Sequence, residues 1–281
     1  MTGDCKFGLI GRNIAYSRSK QIFEAIFRID RTDDTFEIFD VSPTDLEQTL
    51  RELTDRGFRG LSVTIPYKSM IIPLLYETDP LANALDAVNS VAIEDDRTKG
   101  YNTDCYGFAW PLRDYATRLK HGRALIFGCG GAARAACYSL YTDYEVDSFA
   151  VLSRSADHLG RFERTTSALL PNVAIETVLS DRLSGVVGTG YDIVVNCTPL
   201  GGGNYPDAIP FPTEFAWPSG KLYYDLNYNE NNRAVRLAGE KSMRTIDGSA
   251  MLIGQAVRSF EIWTGINIPF DAVYQSVFGR I

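Results

Sequence analysis

Directly after the apolar run Arg123-Ala124-Leu125-Ile126-Phe127 the chain reads Gly128-Cys129-Gly130-Gly131-Ala132-Ala133, and an alanine-rich helical stretch follows. Few architectures accept that passage. Gly128, Gly130 and Ala133 form a G-x-G-x-x-A pattern: the first glycine makes a tight turn, the second lets a pyrophosphate approach the backbone, and the small third residue lets helix pack closely on strand. The unpaired N–H groups and dipole at the start of that helix favour an anion. Such a string is weak alone and gains weight from its strand and helix flanks. The alternative is a tight strand-to-helix turn in a parallel-sheet domain that binds nothing.

Twenty-five residues beyond Gly128, where a second strand ends, an acid would hold the ribose hydroxyls of NAD. Here the chain has Ser153-Arg154-Ser155 instead. A guanidinium between two hydroxyls suits a 2′-phosphate, because it neutralises charge and donates paired, planar hydrogen bonds. These residues favour NADP as the cofactor, against the alternative of a solvated loop arginine.

The rest of the chain alternates in the same manner. KFGLIG, FEIFDV and FRGLSVTIP read as strands, with SKQIFEAIFRI and SPTDLEQTLRELTDRG as helices between them. That order implies a mainly parallel sheet covered by helices. KSMIIPLLYETDPLANAL reads as a helical stretch interrupted by Pro73 and Pro80, and AVNSVAIEDDRTKGYNTD as two short strands about a charged turn. A helix over YGFAWPLRDYATRL leads into a second unit, with strands at RALIFG, DSFAVLSRS, YDIVVNCTPL and KLYYDLNY. The closing helices, SAMLIGQAVRSFEIWTG and PFDAVYQSVF, are too apolar for a solvated tail. The expected fold class is therefore α/β in two domains. An N-terminal α/β substrate domain with a mainly parallel sheet spans residues 1–104 and is rejoined by 247–281; a Rossmann-type dinucleotide-binding domain spans 105–246.

Composition removes several function classes. With 28 Lys and Arg against 35 Asp and Glu, the formal charge of −7 offers no global field for nucleic acid or anionic lipid. The five cysteines form no CxxC pair, which fits reduced thiols in the cytoplasm. With two histidines, His121 and His158, no metal site is expected. No apolar run reaches the roughly 18 residues of a membrane span. The expected partner is a small-molecule substrate, and the expected assembly a monomer or homodimer.

Three further clusters carry chemistry. Ser17 and Ser19 place two hydroxyls before a helix, where they can grip a carboxylate or cap that helix. Thr64 and Lys68 lie in S-V-T-I-P-Y-K, at the C-terminal edge of a strand, where open α/β sheets place ligands; a surface lysine is the alternative. Asn89, in A-V-N-S, precedes Gly100-Tyr101-Asn102-Thr103-Asp104.

Taken in order, S-x-S at Ser17 and Ser19, V-T-x-P-x-K from Val63 to Lys68, A-V-N ending at Asn89, and G-Y-N-T-D ending at Asp104 match one pattern. It continues with G-x-G-G-A-A-R-A from Gly128, N-x-T-P-L-G from Asn196, D-x-x-Y from Asp225 to Tyr228, and M-L-x-x-Q ending at Gln255. The chain resembles the shikimate dehydrogenase family, with its quinate/shikimate relatives, over nearly its whole length. That resemblance implies reversible NADP-dependent reduction of 3-dehydroshikimate to shikimate on the route to aromatic amino acids. It further implies that Ser17, Ser19 and Tyr228 hold the substrate carboxylate and that Thr64, Asn89, Asp104 and Gln255 hold ring hydroxyls, with Lys68 and Asp104 the catalytic pair. On the cofactor side it implies Gly128, Gly130, Gly131, Ala132, Ala133, Ser153, Arg154, Ser155, Thr198 and Gly248. The chemistry agrees, since hydride arrival turns a ketone into an alkoxide that needs a cation and a proton source.

Some positions depart from the family pattern. Tyr16 stands where His is common, Lys20 where Pro is, Ser62 where Asn is, Glu230 where Pro is, and Gly202 where Met is. Ser153 replaces an Asn, and His158 lies where a second basic residue is frequent. Two alternatives follow. One is a quinate/shikimate or related cyclitol dehydrogenase using NAD or NADP, against which Ser19 leans, because quinate-preferring relatives often carry Thr there. The other is a non-enzymatic dinucleotide-sensing module, which would have no need of Lys68 and Asp104.

Overall fold

The computed structural model describes residues 4–171, 173–180, 190–212, 215–229 and 231–279; Glu230 lies outside them. The chain divides into two compact units, Met1–Gly107 with Leu252–Ile281, and Phe108–Met251.

In the first unit, β1 (Lys6–Gly11), α1 (Ser19–Asp30), β2 (Thr35–Asp40), α2 (Leu46–Asp55) and β3 (Phe58–Val63) form two parallel crossovers around a central β1. In α1 the buried residues Ile22, Phe23, Ala25, Ile26 and Phe27 recur at helical spacing, so one stripe meets the sheet. The helix stops at Arg31, whose left-handed backbone (φ 62) sends its N–H to the Phe27 carbonyl. The sheet continues through β4 (Glu77–Thr78), then, past α3 (Pro80–Ala84), through β5 (Ser90–Glu94) and β6 (Arg97–Tyr101), in the order β2-β1-β3-β5-β6-β4. β5 runs antiparallel to both neighbours. It makes a hairpin with β6 through Asp95 and Asp96, both at positive φ, as a two-residue turn requires.

Side chains alternate across this sheet. Ile10, Leu61, Val63, Val91 and Ile93 face one core with Leu46, Leu50 and Leu53 of α2. On the other face the Phe7 ring lies 5.3 Å from that of Trp263, which also stacks on Phe23 at 5.3 Å. Trp263 belongs to α9 (Ser249–Thr264), so the closing helices pack on the first unit; α10 (Phe270–Phe278) lies against α1, with Arg28 Nη1 donating to Ser276 Oγ at 3.4 Å.

Two expected helices are broken up. Residues 68–85 form turns, a short 3-10 segment at Ile72–Leu74, β4 and only then α3. Pro73 has no N–H to give a helix, and Pro80 forces Asp79 into extended backbone, from which its carboxylate caps the N–H groups of Leu81 (2.9 Å) and Ala82 (3.4 Å). Likewise residues 106–119 divide into the end of α4 (Asp104–Ala109), a 3-10 stretch Trp110–Tyr115 carrying Pro111, and α5 (Ala116–Leu119).

In the second unit β7 (Arg123–Phe127), α6 (Gly131–Tyr144), β8 (Ser148–Ser153), α7 (Ala156–Leu169) and β9 (Ala174–Leu179) form one half. β10 (Ile193–Asn196), β11 (Leu222–Asp225), α8 (Arg233–Glu240) and β12 (Arg244–Ile246) form the other. All neighbours are parallel in the order β12-β11-β10-β7-β8-β9, which is the doubly wound dinucleotide-binding order with its switch point between β7 and β10. Ile126, Val151, Val195 and Tyr224 point to one helical layer and Leu125, Leu152, Val194 and Tyr223 to the other, so both faces are dry.

Candidate active site

The first unit gathers most of the expected substrate residues onto neighbouring strand ends. Lys68 follows β3, Asn89 immediately precedes β5, Asp104 opens α4 after β6, and Gln255 lies on α9. The Lys68 carbonyl accepts from Val88 N–H at 2.8 Å, and Asn89 N–H donates to the Tyr101 carbonyl at 3.1 Å, so backbone bonds fix the three segments together. Lys68 Nζ donates to Asp104 Oδ2 at 2.5 Å, in a pair whose side chains are 19% and 6% exposed. The other carboxylate oxygen accepts from Asn89 Nδ2 at 3.0 Å.

Asn89 is itself held in orientation: its Oδ1 accepts from Thr103 N–H at 2.6 Å, and its Nδ2 also reaches Thr103 Oγ1 at 2.9 Å and Gln255 Oε1 at 3.5 Å. Thr103 Oγ1 in turn lies 3.0 Å from both the Gln255 carbonyl and Ser259 Oγ. An ion pair this dry is worth little as a stabiliser but strongly constrains where the ammonium sits. An ammonium has three donors, and Asp104 takes one.

Ser17 and Ser19 meet directly. Ser17 Oγ donates to Ser19 Oγ at 3.0 Å and accepts from Ser19 N–H at 3.2 Å. Neither caps α1: Arg18 occupies the N-cap position without a side-chain capping bond. Two paired hydroxyls at a helix start can donate to a carboxylate. Thr64 leaves β3 with its N–H on the Ile10 carbonyl at 3.0 Å, just before a cis Ile65-Pro66 peptide.

In the second unit the glycine turn does what its composition demands. Gly128 has φ +101, and a Cβ there would come within 3.1 Å of the Cys197 backbone and 3.2 Å of Thr198 Cγ2. At Gly130, the N-cap of α6, a Cβ would meet nothing within 4 Å, so the backbone lies open to an approaching phosphate. Gly131 and Ala132 open the helix half-buried, and Ala133 is fully buried against the sheet. Burial pushes the Cys129 thiol up, against the pull of a hydrogen bond with Ser153, so it is no thiolate nucleophile. At the end of β8, Ser155 caps α7 by accepting from His158 N–H at 3.3 Å, while Arg154 is exposed between the two serines. These residues fit a phosphorylated dinucleotide. Among the described residues no group of three or more His, Cys, Asp or Glu side chains is placed to hold a metal.

Thr198 belongs to a buried polar network whose roles the sequence motifs did not specify. Its N–H and Oγ1 both donate to Asn196 Oδ1, at 3.0 and 2.7 Å. Asn196 Nδ2 donates to Asp225 Oδ2 at 3.0 Å. Asp225, fully buried, also accepts from Tyr223 at 2.8 Å and from the Asn227 backbone and side chain at 3.0 and 2.8 Å. Burial pushes the Asp225 carboxyl up, and these donors pull it the other way. Tyr228, half-buried, follows Asn227 in the same loop. Gly248 closes on it: its N–H donates to the Asn227 carbonyl at 3.0 Å, and a Cβ there would fall 2.1 Å from the Leu226 carbonyl oxygen. Thr103, Asn196 and Asp225 sit inside motifs legible in the sequence; Ser259 carries no signal beyond lying one helical turn from Gln255.

Known proteins resemble this chain at both ends by family model and over nearly its whole length by relative and structure. A family model described as the shikimate dehydrogenase substrate binding domain matches residues 9–91, and one described as the shikimate 5′-dehydrogenase C-terminal domain matches 248–278. A Chlorobium phaeobacteroides protein named shikimate dehydrogenase (NADP(+)) is 34% identical over 95% of this chain and 93% of its own. Among solved structures, Thermus thermophilus shikimate 5-dehydrogenase in complex with NADP(H) and shikimate has a TM-score of 0.83 at 26% identity, covering 97% of this chain and 98% of its own. Quinate dehydrogenase from Corynebacterium glutamicum in complex with NAD has a TM-score of 0.85 at 27% identity, with coverage of 97% and 98%. With a relative at that identity over nearly its full length, and the paired lysine and aspartate in place, the chain belongs to the shikimate dehydrogenase family.

Proposed function

We propose that this protein catalyses the reversible NADP-dependent reduction of 3-dehydroshikimate to shikimate, supplying aromatic amino acid synthesis. The observation that carries the reading is the Lys68–Asp104 pair, buried among amides and hydroxyls and backed by Asn89. Substrate belongs to a domain of residues 1–104 with 247–281, and cofactor to a domain of residues 105–246. The reading extends to the cytoplasm as compartment and to a monomer or homodimer; five free cysteines support the former.

In this assignment Ser17 and Ser19, with Tyr228, hold the substrate carboxylate. Thr64, Asn89 and Gln255 take ring hydroxyls, together with Asp104. Bound at the glycine turn, with its 2′-phosphate at Ser153, Arg154 and Ser155, NADP supplies or accepts the hydride. Lys68 does the remaining work: as the ring ketone becomes an alcohol its oxygen gains negative charge, which the ammonium stabilises and protonates. Asp104 holds that ammonium in one place, so little reorganisation is needed at the moment of reaction.

The likeness to the Corynebacterium quinate dehydrogenase favours a second reading, turnover of quinate with NAD. Quinate adds a hydroxyl on the carboxylate-bearing carbon, which must be accommodated at Ser17 and Ser19, and their mutual hydrogen bond leaves that corner compact. Initial rates with shikimate and quinate, each with NADP and NAD, separate the two readings. The highest kcat/KM is expected for shikimate with NADP; a higher value for quinate with NAD supports the second reading, and no turnover with either acid contradicts both.

A further inference from the structure

The second unit contains a carboxylate that no step of the proposed reaction uses. Asp225 is fully buried at the end of β11, yet four hydrogen bonds converge on it from Asn196, Tyr223 and Asn227. Two of those partners hold the segment from Thr198 to Gly202. Asn196 grips Thr198 through Oδ1 and the Leu200 carbonyl through Nδ2, the latter at 2.9 Å. Asn227 Nδ2 reaches the carbonyls of Thr198 and Leu200, both at 3.1 Å. Asp225 thus fixes two amides, and the amides fix the loop.

That loop sits at a chosen place in the fold. It leaves β10 beside β7, at the switch point where ligands of doubly wound sheets bind, and Thr198 abuts the glycine turn at Gly128. A pyrophosphate at the start of α6 with the adenosine ribose at the end of β8 leaves the β10–β11 side for the other half of the dinucleotide. The packing of Asn227 also dictates residue 202. A Cβ at Gly202 would lie 2.4 Å from Asn227 Oδ1 and 3.1 Å from the Pro199 carbonyl, and Asn227, tied by its amide, has no room to retreat.

We propose that Asp225, acting through Asn196 and Asn227, is the positioning residue that sets the Thr198–Gly202 loop for the nicotinamide half of the cofactor, and that Asn227 makes glycine obligatory at 202. The inference rests on the dinucleotide reading of the second unit. Replacing Asp225 by Asn puts an N–H₂ among donors and releases the loop. Contacts to the adenosine half, which belong to β7, β8 and α6, stay as they are.

The test is calorimetric titration of the full-length protein with NADP and with adenosine 2′,5′-bisphosphate, which lacks the nicotinamide half. For Asp225→Asn, and for Asn227→Ala should the first variant fail to fold, NADP affinity is expected to fall by about tenfold or more while bisphosphate affinity holds. Gly202→Ala should weaken NADP in the unmodified protein and much less in the Asn227→Ala background, where the clash is gone. Equal losses for both ligands, or no loss for NADP, would overturn the proposal. Failure of the unmodified protein to bind either ligand would instead overturn the cofactor reading, and this inference with it.

Discussion

Lys68 Nζ stands 2.5 Å from Asp104 Oδ2 while Asn89 donates to the opposite oxygen of the same carboxylate. One acid is thus clamped between a cation and an amide, and the three residues come from three separate segments, after β3, before β5 and at the start of α4. The position of the ammonium is set by the hairpin register rather than by its own flexible stem.

On the carboxylate side, Ser17→Ala and Tyr228→Phe should chiefly raise the KM for shikimate, because contacts to a non-reacting carboxylate differ little between ground and transition states. Loss of one such hydrogen bond to a charged group is worth about 1.5–3 kcal/mol. Steady-state kinetics check this; a fall in kcat with unchanged KM would contradict it.

At the cofactor, Arg154→Ala should weaken NADP and leave NAD nearly unchanged, since the exposed guanidinium between Ser153 and Ser155 has no acid beside it in that tripeptide. A preference of roughly ten- to a hundredfold, about 1.4–2.7 kcal/mol, should largely vanish. Comparing kcat/KM for the two cofactors reads it directly, and equal losses with both would refute the assignment.

For stability, Gly60→Ala tests the packing of α9 on the first sheet. A Cβ there would fall 2.1 Å from the Trp263 ring, which is wedged between Phe7 and Phe23. Overpacking of this kind costs about 1–3 kcal/mol. Urea unfolding should show a lower midpoint with an unchanged slope; an unaltered midpoint would mean that Trp263 shifts freely.

Much of this molecule is legible in its sequence, and the exceptions have physical causes. Strands buried on both faces, such as Ala124–Phe127 and Ile193–Val195, announce themselves as apolar runs. The edge strands Ala174–Leu179 and Arg244–Ile246 do not, because none of their residues is fully buried. Residues 68–85 carry enough apolar residues for a helix, yet Pro73 and Pro80 cut the hydrogen bonds it would need. Lys68, Asn89 and Asp104 could be named from motifs, and the resemblance already pairs Lys68 with Asp104; the clamp that Asn89 adds on the same carboxylate could not be read, since it depends on the antiparallel pairing of β5 with β3 and β6. The Asp225 network was invisible for the same reason: a buried aspartate with neutral partners has no pattern until the loops close round it.

The most direct test of the central claim is the turnover of Lys68→Ala with shikimate and NADP, measured beside the unmodified protein. Without the ammonium the developing alkoxide loses its cation and its proton donor. Turnover should fall by about two orders of magnitude or more, roughly 3 kcal/mol of transition-state stabilisation, with a smaller change in KM. Near-normal turnover by this variant would show that the Lys68–Asp104 pair does not carry the chemistry.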